Sequence, residues 1–81
     1  MDIKSQVRNF ILDNFMMGRD SNDLKDSGSL LAMNIIDSTG VLELVGFLEE
    51  TFGITIDDDE LVPDNLDSLD KIESFIKRKI Q

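Results

Sequence analysis

Ile35-Ile36-Asp37-Ser38-Thr39-Gly40-Val41-Leu42-Glu43-Leu44-Val45-Gly46-Phe47-Leu48-Glu49-Glu50-Thr51-Phe52-Gly53-Ile54-Thr55-Ile56 is the stretch around which the chain is organised. Beyond the Asp37-Ser38 pair, Val41, Leu44, Val45, Leu48 and Phe52 recur at helical spacing and form one apolar stripe. Asp37 or Ser38 is the natural N-cap, because a short side-chain oxygen there accepts a bond from a free backbone N–H of the first turn. Gly53 is the matching stop. Ser38 therefore sits at the positive end of a helix dipole, where a phosphate ester on its hydroxyl would be stabilised.

Outward from this helix, composition sets the limits. With 81 residues, 41% of them hydrophobic, there is material for one small globular domain, read as residues 1–81. The net charge is −9 and the pI about 4.1. From Asp26 to Asp70 there are twelve acidic residues and no basic one. Such a surface repels nucleic acid and anionic membranes and steers basic protein surfaces towards it. Cysteine and histidine are both absent. Without them a thiolate site, a disulfide or a Ser-His nucleophile cannot be built, so Ser38 reads as modified by another enzyme rather than catalytic. Residues 1–6 lack a basic stretch followed by an apolar run, and no apolar stretch approaches membrane-spanning length, so a cytoplasmic protein is expected.

On the N-terminal side, residues 3–17 predict a helix capped by Asp2, with Ile3, Val7, Phe10 and Ile11 on one face. Leu12, Phe15, Met16 and Met17 widen its arc, and Gly18 stops it. Residues 19–36 lack a sustained period and read as a long loop, tacked down by Leu24, Leu30, Leu31, Met33 and Ile35, with a helical turn at 30–33. On the C-terminal side, Ile54-Thr55-Ile56 reads as an extended connector with both isoleucines inward. Asp57-Asp58-Asp59-Glu60 invites a calcium reading, but Val62 stands where an EF-hand loop starting at Asp57 needs glycine, so no metal site is assigned. The acids suit the start of a short helix over 58–62, ended by Pro63. Asp67 or Ser68 caps a last helix carrying Leu69, Ile72, Phe75, Ile76 and Ile80 on one arc. The expected fold is all-α, a small antiparallel four-helix bundle with one short helix and a long first loop.

The central stretch resembles the prosthetic-group attachment region of acyl carrier proteins. The matching pieces are Asp37-Ser38, Val41-Leu42-Glu43-Leu44-Val45, Leu48-Glu49-Glu50 and Phe52-Gly53-Ile54; length, acidity and element order match as well. Thr39 stands where an apolar anchor is usual and Gly40 where a second carboxylate is usual, which points to specialised stand-alone carriers, including those of D-alanine. The resemblance implies a non-enzymatic carrier with 4′-phosphopantetheine from coenzyme A on Ser38, flanked by Asp37, holding an acyl or aminoacyl group as a thioester. It further implies a phosphopantetheinyl transferase, a loading ligase and acyl-using enzymes with basic surfaces as partners of a monomer. Glu43 and Glu50 project from one side of the helix with Gly46 beside them, since they lie seven residues apart at about 100° per residue. They are the expected partner surface, tuned by Thr39 and by Gly40, whose missing side chain would let a partner's backbone approach. Val41, Leu44, Leu48, Phe52 and Ile56 are the candidates for lining an acyl pocket. The competing class is an acidic helical interaction module in which Asp37-Ser38 is an N-cap and nothing more.

Overall fold

The computed structural model describes residues 2–18, 20, 22 and 24–80; Arg19, Ser21 and Asp23 of the expected loop lie outside them. Among the described residues four α-helices form the bundle: α1 (Ile3–Phe15), α2 (Ser38–Phe52), α3 (Pro63–Leu66) and α4 (Leu69–Ile80). No strand occurs among the described residues. The stripes expected from sequence converge on one core, in which Val7 and Ile11 of α1, Leu44 and Leu48 of α2, and Leu69, Ile72 and Ile76 of α4 are buried. Burying side chains of this size contributes about 1.5–3 kcal/mol each before chain entropy is counted.

Helix α1 ends at Phe15, two residues earlier than expected, and the Asp2 carboxylate makes no capping bond to its backbone. Met16 is buried just past this end, whereas Met17 is 87% exposed and joins no core. The long first loop is ordered by the apolar residues that sequence singled out, with Leu24, Leu30 and Ile35 buried and Met33 half-buried. Leu31 departs from that expectation at 42% exposed. Around residues 30–34 the chain makes the expected turn, with Met33 N–H donating to Ser29 O and Asn34 N–H to Leu31 O. Asn34 adopts a left-handed φ of 56°, which asparagine tolerates better than most side chains.

The segment after α2 corrects the sequence reading. A short 3₁₀ helix covers Asp58–Glu60, and Pro63 opens α3 instead of ending a helix. Proline fits there because its missing N–H falls at the first helical position, where no intrahelical acceptor exists. Ile56 is buried and Ile54 half-buried, as expected of the connector. Ser68, not Asp67, caps α4, its hydroxyl accepting Lys71 N–H at 3.1 Å. At the other end of α4, Ile80 leaves the arc and is 54% exposed.

Glu60 fastens the 3₁₀ segment to α4. Its Oε1 accepts Asp57 N–H at 2.9 Å and pairs with Lys79 Nζ at 2.9 Å. The Asp57 N–H, followed by the Lys79 ammonium, holds this carboxyl below its ordinary value of 4.5. A lowered carboxyl contributes stability above its unfolded pKa and loses it as pH falls through the folded value. Glu60→Gln should therefore flatten the acid side of a plot of melting temperature against pH, as pH falls below the ordinary carboxyl value of 4.5, relative to wild type. Parallel acid limbs in the two proteins would contradict this.

Candidate functional site

Ser38 is the first residue of α2 and is exposed. The residue before it supplies the cap: Asp37 Oδ1 accepts Gly40 N–H at 2.7 Å, so the Ser38 hydroxyl is not needed to start the helix. At the far end Gly53 takes a left-handed φ of 64° and its N–H donates to Glu49 O, closing α2 as its spacing implied.

Beside Ser38 opens a cavity of about 360 Å³ between the first loop, the head of α2 and the 61–67 segment. Its walls are almost wholly aliphatic, with Leu30 and Ile36 from the loop, Val41 and Leu42 from α2, and Leu61 and Leu66 around α3. Leu31, Val62 and Pro63 complete the lining, and Ser38 and Asp67 are its polar members. Leu31, Leu42 and Val62 are partly open to solvent, so the mouth is apolar as well. An exposed hydroxyl at the head of a helix, at the edge of an apolar hollow, suits an arm that is esterified outside and can lay its end inside.

Of the pocket candidates read from sequence, Val41 lines this cavity. Leu44 and Leu48 are fully buried in the bundle core instead. Phe52 and Ile56 lie at the opposite end of α2 and are absent from the cavity wall. The stripe was legible as a buried face, but the cavity sits to one side of it, and its remaining walls come from segments without a helical period. A helix stripe reports which face is covered and does not report where the covering segments leave a gap.

Among the proposed partner residues, Thr39, Glu43, Gly46 and Glu50 are exposed along α2. Gly40 is buried, and this is a correction. A Cβ built on it would lie 3.0 Å from the Phe15 ring, so its lack of a side chain serves packing against α1 and not the approach of a partner.

Asp67 is the residue that sequence reasoning undervalued. Its Oδ2 accepts the Ser29 hydroxyl at 2.6 Å, its Oδ1 accepts Leu31 N–H at 2.9 Å, and its carbonyl accepts Leu30 N–H at 2.7 Å. One residue thus fixes the loop that forms a wall of the cavity. A second strap runs close by, from Asp70 N–H to Asp26 O at 3.0 Å. Asp67 was visible in sequence as half of a second Asp-Ser pair before a helix; its partners, 36 and 38 residues away, were not.

A capped α2 that offers an exposed serine beside an apolar cavity defines the architecture of a small helical carrier protein. No protein-family model matches the chain. It is 38% identical over 72 residues to the D-alanyl carrier protein of Streptococcus mutans, covering 89% of this chain and 87% of that one. Its identity to the D-alanyl carrier protein of Streptococcus suis is 34% over 76 residues, covering 94% and 92%. The solution NMR structure of a holo acyl carrier protein from Nitrosomonas europaea superimposes with a TM-score of 0.78 at 30% identity, covering 99% and 98%. The chain belongs to the acyl carrier protein family, and as such is a phosphopantetheine-bearing carrier that presents acyl or aminoacyl groups.

Proposed function

We propose that Ser38 carries the 4′-phosphopantetheine and that the chain hands its thioester-bound cargo between partner enzymes without catalysing a reaction itself. The observation that carries this reading is the exposed Ser38 at the head of α2 on the edge of the apolar cavity. In the loading step Ser38 Oγ attacks the phosphorus next to the pantetheine of coenzyme A. A new P–O bond forms, the pyrophosphate P–O bond breaks, and adenosine bisphosphate leaves with its electron pair. The serine proton passes to a base of the transferase, since this chain has no histidine. When bound, the group supplies the thiol on which the cargo rides. Dependence on coenzyme A agrees with a cytoplasmic setting. The aliphatic cavity favours an apolar acyl cargo. D-alanine is the second reading, favoured by the names of the two streptococcal relatives. Incubation with coenzyme A and a permissive phosphopantetheinyl transferase, read by intact mass, tests the proposal against an unmodified interaction module. Offering the modified protein D-alanine or acyl substrates with the matching ligases then separates the two cargos.

Partner enzymes reach Ser38 past Glu43 and Glu50, which the reading assigns to recognition by basic surfaces. Reversing both to Lys should lower the association rate with the transferase about tenfold at low salt, with a smaller loss at high salt. The helical content should stay unchanged, since both side chains are exposed. Equal rates at low salt would remove the two glutamates from the partner surface.

A further inference from the structure

Three phenylalanines connect the middle of α2 to its head by way of α1. Phe47 of α2 stacks on Phe10 of α1, with ring centroids 4.1 Å apart and planes 16° from parallel. Phe10 meets Phe15 edge to face at 5.8 Å. This aromatic series ends on Gly40. A Cβ placed there would lie 3.0 Å from the edge of the Phe15 ring, 3.4 Å from Asp37 Oδ1 and 3.5 Å from the Ile36 side chain. The Asp37 oxygen is the same one that accepts Gly40 N–H. One small volume therefore holds the ring edge and the capping bond together, and Ser38 lies between the two residues which that bond joins.

Carbon atoms pack best at about 3.5–4.0 Å, so a side chain at position 40 must displace the ring or the carboxylate. The ring is also held by its edge-to-face contact with Phe10, itself stacked on Phe47. Displacing the carboxylate lengthens the capping bond and turns the first residues of α2. Helix propensity alone favours Ala over Gly within a helix, so the glycine at this position is not explained by α2 taken by itself.

We propose that Phe15 is a positioning residue for the modification of Ser38. Its ring edge, seated where Gly40 has no side chain, fixes the Asp37–Gly40 turn and through it the direction in which Ser38 Oγ is offered. Helix α1, which contributes no residue to the cavity, thereby takes part in presenting the serine. The proposal rests on the reading of Ser38 as the attachment residue.

The test compares wild type, Gly40→Ala, Phe15→Leu and the double variant. It measures kcat/KM for modification by coenzyme A and a transferase, together with amide exchange at position 40 against the buried Ile76 of α4. Gly40→Ala should lower kcat/KM about tenfold, as misplacement of a reacting group does. The double variant should recover most of that loss, because leucine vacates the space of the ring edge. Exchange at position 40 should accelerate relative to Ile76 in both single variants. A merely structural role would lower the melting temperature while folded Gly40→Ala is modified at the wild-type rate, and that result overturns the proposal. Losses that multiply in the double variant instead of cancelling overturn it as well. Should Gly40→Ala fail to fold, Phe15→Leu decides: unchanged exchange at position 40 refutes the role of the ring. A wild-type chain that gains no mass overturns the reading of Ser38 itself, an outcome distinct from full modification that is indifferent to position 40.

Discussion

Ser38→Ala should abolish modification completely and leave the bundle as stable as wild type. The loss should be total because, among the described residues, no other serine lines the apolar cavity. Ser68 is buried and its hydroxyl is engaged as the cap of α4, and Ser29 donates its hydroxyl to Asp67. Stability is unaffected because the cap of α2 is the Asp37 carboxylate, which the substitution does not touch. A surface change of this kind stays within about 0.5 kcal/mol. Asp37→Ala, by contrast, removes the cap and should cost about 0.5–2 kcal/mol. Intact mass after transferase treatment and a thermal melt check both halves. A residual modified fraction in Ser38→Ala would show that a second site competes, and a large fall in melting temperature would show that the serine has a structural task.

The second large effect is expected at Asp67. Its carboxylate accepts bonds from Ser29 and Leu31 that tie the first loop to the α3–α4 junction, and hydrogen bonds to a charged acceptor contribute about 1.5–3 kcal/mol each. Asp67→Ala should destabilise the protein by about 2–4 kcal/mol, since solvent replaces part of each bond at this half-buried site. For a domain whose total stability is of the order of 5–15 kcal/mol this is a large share. Asp67→Asn keeps one carbonyl oxygen and should lose about half as much. Because Leu30 and Leu31 belong to the cavity wall, an apolar fluorescent probe held in the cavity should also be released more readily from Asp67→Ala. Denaturant melts that coincide for Asp67→Ala and wild type would refute the strap.

Legibility in the sequence followed how local the determining interactions are. Helix α2 was readable almost to the residue, because Asp37 as cap, the Val41–Phe52 stripe and the left-handed Gly53 act within a few positions of one another. The core faces of α1 and α4 were equally plain, apart from Met17 and Ile80, which lie where a helix ends and its stripe no longer has a neighbour to cover it. Pro63 misleads because proline both ends and begins helices, and here it takes the first position of α3, after the 3₁₀ turn at Asp58–Glu60 has already closed. The cavity was illegible for a different reason. It is bounded by loop residues whose positions depend on Asp67, a contact across 36 residues that no local pattern announces. Gly40 is unusual for a helix from sequence alone, but the ring that a side chain there would meet, Phe15, lies on another helix.

The most direct test follows from the charge pattern itself. Trypsin cleaves after Lys25 and Lys71 and nowhere between, so Ser38 falls in a single peptide running from Asp26 to Lys71, together with Ser27, Ser29 and Ser68. After incubation with coenzyme A and a phosphopantetheinyl transferase, fragmentation of that peptide should show one phosphopantetheine, placed on Ser38. A peptide of unchanged mass, or a group assigned to Ser27, Ser29 or Ser68, would contradict the assignment of Ser38 as the carrier residue.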